Sequence, residues 1–146
     1  MINILTGIDS TSSALNAERI RMDVVSQNIA NVNVTRDVHG LPNPYQRQQV
    51  IFESVLSEQS RASGTPGHLA QSVRAARVQA DPRPPRLVYQ PGNPDADPSG
   101  MVATPNINIH EEMVDLMTAS RSYEANLGVV KTARSMAMQT LSIGKR

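Results

Sequence analysis

The stretch Ser26-Gln27-Asn28-Ile29-Ala30-Asn31-Val32-Asn33-Val34, SQNIANVNV, closes a long apolar periodicity with three asparagines in six positions. Reading backward from it, Ile8, Leu15, Met22 and Ile29 recur every seven residues, and a companion track runs through Ile4, Thr11, Glu18, Val25 and Val32. Seven of these nine positions are apolar, a narrow stripe of coiled-coil type. The spacing predicts a helix over about residues 4–32, roughly 40 Å long at 1.5 Å per residue, with Asn3, Asp9 and Ser10 all able to cap its start. Asn28 and Asn31 lie one turn apart and flank the stripe at Ile29, so their amides are expected to bond to the backbones of neighbouring helices and to fix register. Asn33, beyond the stripe, is placed at the helix C-terminus and its turn.

Downstream, all ten prolines lie between Pro42 and Pro105. Proline costs about 3 kcal/mol inside a helix, so two helix-permissive ends surround a helix-hostile middle. The second helix has a marked beginning, because Asn108 followed by Glu111 matches a capping box and Glu112 adds negative charge at the positive end of the dipole. The stripe then runs Ile109, Met113, Leu116, Ser120, Tyr123, Leu127, Val130, Arg134, Ala137 and Leu141, eight of ten apolar. Gly144, Lys145 and Arg146 are the residues expected at its end.

Between the helices, Tyr45–Phe52, Leu87–Tyr89 and Met101–Ala103 read as short strands, the last two joined by the turn-rich Pro91–Gly100. Residues 57–86 are rich in Ser, Gly, Pro and Arg and read mostly as a mobile loop. The expected fold class is α+β, mainly α: long N- and C-terminal helices pair as a coiled-coil-like core domain around a small β-rich, Pro/Gly-rich middle. The expected divisions are 1–36 for the first helix, 37–105 for the middle with its loop at about 57–86, and 106–146 for the second helix. Such helices cannot both hide a stripe against so small a middle; they must pack on each other, on other subunits, or both.

Composition narrows the function. One phenylalanine, no tryptophan and three tyrosines leave small aliphatics and seven methionines to fill the interior, which suits helix-on-helix seams. A net charge of +1 provides no field toward nucleic acid or an anionic membrane. The absence of cysteine excludes disulfides and thiolate metal sites. The N-terminal MINILTGIDS has neither the basic segment nor the apolar run of a signal peptide, so cytosolic residence and export without cleavage are both expectations.

Sites of chemistry fail on spacing. His110-Glu111-Glu112-Met113-Val114 lacks the second histidine of a zinc helix. Asp95-Ala96-Asp97-Pro98-Ser99-Gly100 copies half of a calcium loop, but Asn106 stands where a bidentate glutamate belongs, and a pair of Asx turns before a glycine turn is the reading favoured. No nucleophile elbow or phosphate loop is present. The arginines at 61, 74, 77, 83 and 86 have no interleaved aromatics on which bases could stack. The expectation is a non-enzyme with no cofactor, no metal, no nucleic acid and no small-molecule substrate.

Several stretches carry a resemblance over nearly the whole chain. Val24–Asn33 looks like the signature of a known family, in which two small or apolar positions precede N-I-A-N. Gly100–Ile107 with Glu112–Met117 resembles that family's entry into its C-terminal helix, and Ala119-Ser120-Arg121-Ser122-Tyr123-Glu124-Ala125-Asn126 resembles the helix itself. The family is that of the axial, rod and hook proteins of the bacterial flagellum. Pro44–Gln48 with Val50–Phe52, and Val88–Asp97, are similar to stretches of its proximal rod type. Asn93 departs from a common histidine, Met101 from a common aromatic, and residues 57–86 match little.

The resemblance implies a structural subunit of the periplasmic rod that leaves the cytoplasm through the flagellar type III export apparatus without losing a signal peptide. It implies partners among its own copies, proximal and distal rod subunits and the MS-ring/rod junction protein. The assembly surface expected from stripes and resemblance together comprises Ile8, Leu15, Met22, Val25, Asn28, Ile29, Asn31, Val32 and Asn33, with Met113, Leu116, Tyr123, Asn126, Leu127, Val130 and Leu141 on the second helix. Other readings are a different axial subunit, or a helical adaptor such as a secretion chaperone, against which the near-neutral charge and the Pro-Gly-Asn-Pro stretch both count.

Overall fold

The computed structural model describes residues 2–56 and 71–143. Helix α1 spans Ile2–Ala30 and helix α2 spans Ile109–Ile143, with β1 (Gln48–Leu56), β2 (Gln71–Ala80), β3 (Arg86–Tyr89) and β4 (Met101–Thr104) between them. The strands form two separate two-stranded sheets, β1 with β2 and β3 with β4. The fold is thus α+β and mainly α.

Two compact units divide the chain, the first drawn from Met1–Ile20, Ile51–Arg77 and Thr118–Arg146, the second from Arg21–Val50 and Val78–Met117. In the first, Gly7, Ile8 and Thr11 of α1 and Val129, Val130, Ala133 and Met136 of α2 line one apolar groove of about 260 Å³. Thr11, a polar exception on the α1 stripe, returns its hydroxyl to the Gly7 carbonyl at 2.7 Å and so brings no unsatisfied group to that groove. In the second unit, Arg21 of α1 reaches Asp115 of α2 at 3.1 Å.

The residues buried most deeply on α1 are not the sevenfold series. Ala17, Val24, Val25 and Asn28 are buried, whereas Ile8, Leu15, Met22 and Ile29 are half-buried at the margin of that face. The opposite face, with Ser12, Asn16, Arg19, Asp23 and Gln27, is exposed and polar. On α2 the most buried positions are Glu112 and Ala119, seven residues apart, while the expected stripe lies roughly 60° around the helix at 100° per residue. The buried apolar positions of the helices are small, alanine or valine, while Asn28 and Glu112 are buried beside them as hydrogen-bonded polar groups and the larger aliphatics fall beside that line.

Each helix end differs in detail from its sequence pattern. At the N-terminus of α2, Asn108 is the cap, but its Oδ1 accepts from the His110 N–H at 3.1 Å, and its amide donates to Glu111 Oε1 at 3.0 Å. The Glu111 side chain therefore binds the capping side chain rather than the backbone of a reciprocal box. At the end of α1 the Asn31 N–H and its side-chain amide both donate to the Gln27 carbonyl, at 3.0 and 2.8 Å. The expected end at Gly144, Lys145 and Arg146 lies outside the described residues, as do residues 57–70 of the expected loop.

The rest of that loop contains a finding. Gln71–Ala80 is a ten-residue strand paired with β1. Its sequence, QSVRAARVQA, alternates only in short runs, Val73-Arg74-Ala75 and Ala76-Arg77-Val78-Gln79-Ala80, whose phase changes between Ala75 and Ala76; it is ordered by pairing with β1, and Val78 is exposed. By contrast β3 and β4 meet expectation, pairing antiparallel with Val88 opposite Val102 and Tyr89 opposite Met101. Val102 is buried, while Leu87 and Tyr89 point outward. The chain also forms a small hairpin between Val34 and Tyr45, whose Asp37 carboxylate accepts from the His39 and Leu41 N–H groups around Gly40, at φ +76°.

Candidate assembly site

The centre of the second unit is a polar junction built around Asn28. This residue is 0% exposed, and all four of its side-chain hydrogen-bonding positions are used. Its Nδ2 donates to the Gln48 carbonyl at 2.8 Å and to Glu112 Oε2 at 3.0 Å. Its Oδ1 accepts from the Gln48 N–H at 2.9 Å and from the Tyr45 hydroxyl at 3.2 Å. The carboxamide therefore pairs with both backbone groups of one residue, as a neighbouring strand would, and fixes the start of β1 against the last turn of α1.

The amides expected to reach other subunits thus find their partners at home. Asn28 is satisfied by β1, Tyr45 and α2 of its own chain, and Asn31 by the Gln27 carbonyl. For Asn28 the physical reason is burial, since an amide with no exposure must be paired within the fold before any neighbour arrives, whereas half-buried Asn31 makes a local bond at the helix end.

Glu112, 1% exposed, is the second element of the junction. Its Oε1 accepts from Arg47 Nε at 2.7 Å, and Arg47 NH1 reaches Asp81 Oδ2 at 3.4 Å. Asp81 then binds Arg83 through Nε and NH2, and accepts the Arg83 N–H at 3.0 Å. The Asp81 N–H donates to the Arg47 carbonyl at 2.7 Å. Hydrogen bonds from the Arg83 side chain and backbone, then the charges of Arg83 and Arg47, hold the Asp81 carboxyl down at about 2. Burial, followed by the nearby Glu112 charge, pushes the Tyr45 phenol up. Sequence reasoning gave Glu112 only a role at the helix dipole and did not connect Arg47 with Asp81; the available signal was Glu112 lying seven residues before Ala119 on the small-residue face of α2.

The Pro91–Gly100 segment is a structural turn. Asp97 Oδ1 accepts from the Ser99 and Met101 N–H groups, both at 2.9 Å, and Asp95 is held by Thr35 and Arg36. The carboxylates of the half calcium loop are thus engaged by backbone amides, a hydroxyl and a guanidinium, and no group able to hold a metal occurs among the described residues. Likewise no described helix is long and apolar enough to cross a membrane.

Of the expected assembly residues, Val25 and Asn28 are buried within the chain. Ile8, Leu15, Met22, Ile29, Asn31, Val32, Leu116, Tyr123, Asn126 and Val130 are half-buried, and Asn33, Met113, Leu127 and Leu141 are exposed. The groove of the first unit brings Ile8 and Val130 together.

Two family models match the terminal regions that these elements occupy. One, described as "Flagella basal body rod protein", covers residues 8–36, and the other, "Flagellar basal body rod FlgEFG protein C-terminal", covers residues 99–143. They define the class as flagellar basal-body rod proteins. Among curated proteins, the chain is 40% identical to the flagellar basal-body rod protein FlgC of Bacillus subtilis, with 94% of this chain and 96% of that protein covered. It is 38% identical to FlgC of Yersinia enterocolitica, covering 99% and 100%, and 38% identical to FlgC of Salmonella typhimurium, covering 97% and 98%. The chain belongs to the FlgC family of flagellar basal-body rod proteins. These relatives are structural rod proteins rather than enzymes.

Proposed function

We propose that the chain is a subunit of the proximal rod of the flagellar basal body, building it by helical self-assembly through α1 and α2. The observation that carries this reading is how little the chain buries alone. Among the residues whose burial is described, the buried apolar side chains are Ala17, Val24, Val25, Val102, Pro105 and Ala119, none larger than valine. Meanwhile Met113, Met117, Leu127, Val129 and Leu141 of α2 stand exposed. A chain of 146 residues with this interior leaves apolar surface for neighbours to cover.

In this reading the half-buried stripes of the two helices pack in coiled-coil fashion within and between subunits, enclose the export channel and transmit motor torque. The neighbours are other copies, proximal and distal rod subunits and the MS-ring/rod junction protein. The subunit reaches the periplasm through the flagellar type III export apparatus. Ile29→Asp and Leu127→Asp test it, since each places a carboxylate on an apolar stripe that assembly would desolvate. Both variants are expected to be exported and to leave cells without rods, seen by isolating basal bodies. Motile cells carrying either variant would overturn the assignment of that stripe.

A further inference from the structure

We propose that the exposed methionines of α2 are oxidation sites, and that their conversion to sulfoxides bars an unassembled subunit from the rod. The inference rests on the assembly reading above and adds a modification to it. Of seven methionines, Met113, Met117, Met136 and Met138 lie on α2 and are between 46% and 63% exposed. Met22 and Met101 are half-buried. Met113 and Met117 stand one turn apart, and Met136 also lines the apolar groove with Ile8 and Val130.

Thioethers are flexible and adapt to irregular apolar contacts, which suits an interface formed with several neighbours. The same sulfur is open to two-electron oxidation by a peroxide. A sulfur lone pair attacks one peroxide oxygen, the O–O bond breaks, and the departing hydroxide takes the remaining proton to leave as water, so one hydrogen peroxide yields one sulfoxide and one water. The product is a polar acceptor that must be desolvated for an apolar seam to close. Exposure before assembly makes the free subunit the vulnerable form; burial afterwards protects it.

The test begins with purified subunit exposed to hydrogen peroxide, digested and mapped by mass spectrometry. Met113, Met117, Met136 and Met138 are expected to gain oxygen several-fold faster than Met22 and Met101, and to be protected in isolated basal bodies. In cells, Met113→Gln with Met117→Gln, and separately Met136→Gln with Met138→Gln, imitate the sulfoxide and are expected to reduce motility severely. The corresponding leucine pairs, which keep volume and cannot form sulfoxides, are expected to remain motile. Circular dichroism of each purified pair reports its folding. Equal oxidation of all six, motile glutamine pairs, or immotile leucine pairs that fold would each overturn the proposal. If Leu127→Asp blocks assembly while the glutamine pairs swim, the oxidation proposal alone fails; if Leu127→Asp swims, the interface reading fails with it.

Discussion

Asn28 shows how one side chain can perform work that usually takes a strand. Because its carboxamide satisfies both the N–H and the C=O of Gln48, truncation to alanine leaves those groups, the Tyr45 hydroxyl and Glu112 Oε2 short of a partner. Unsatisfied buried groups cost about 1–3 kcal/mol each before relaxation and water entry, so Asn28→Ala is expected to lower stability by about 3 kcal/mol. A urea titration of the purified subunit measures this, and rod incorporation should fall more than export. Asn28→Asp is expected to be worse than its size implies, because the new carboxylate would face Glu112 and the Gln48 carbonyl.

Asp81 adds a pH dependence with a definite sign. Its folded value, about 2, lies below its ordinary value of 3.8. Its contribution is therefore complete above about pH 4 and is lost as pH falls toward 2. Acid titration followed by tyrosine fluorescence or circular dichroism should show the loss in that window, and Asp81→Asn should remove that component while lowering stability at neutral pH. Gly100 is a third residue-scale case. Its φ is +78°, and a Cβ there would stand 2.9 Å from Tyr89 Cε2 and 3.2 Å from Pro91 Cβ. Gly100→Ala is expected to cost about 1–2 kcal/mol, read from the same denaturation experiment.

At the scale of elements, what the sequence disclosed depended on which force formed each one. Both helices were legible because apolar periodicity and the proline partition act along the chain, and β3 and β4 because short apolar runs flank a turn-rich segment. Strand β2 was not, since its alternation is short, changes phase between Ala75 and Ala76 and rests mostly on alanine, a weak strand former, while its order comes from pairing with β1. The buried face of α1 was displaced for a related reason. Heptad counting finds Ile8, Leu15, Met22 and Ile29, whereas close packing selects Ala17 and the hydrogen-bonding needs of β1 select Asn28. The Arg47, Asp81 and Glu112 junction joins residues far apart in sequence, which no local pattern reveals. This separation of inner face and apolar margin yields a prediction for α2. Leu141 is exposed and lies outside the groove with α1, so Leu141→Asp should alter subunit stability by no more than about 0.5 kcal/mol yet prevent assembly. Unchanged urea midpoint with absent rods is the expected pair of results; rods formed normally would show that this side of α2 faces solvent in the assembly.

For the whole molecule, the distribution of stabilising contacts leads us to propose that folding and assembly are coupled. The second unit contains the fully bonded Asn28, the paired Glu112 and the buried Val102. The first has an open apolar groove, and the last described turn of α2 carries exposed Leu141 and Ile143 with no deep burial. Helices in water gain most of their stability from packing an apolar face, so segments without such packing sample open states readily. Hydrogen exchange on the free subunit is therefore expected to protect amides around Val24–Asn28 and after Glu112, and to leave those near Gly7 and Gln139–Ile143 exchanging quickly. In isolated basal bodies the latter amides should become protected, because burial against neighbours stabilises the ordered state by mass action. A free subunit protected evenly along both helices, melting in one sharp transition, would show that the fold is complete before any neighbour is met.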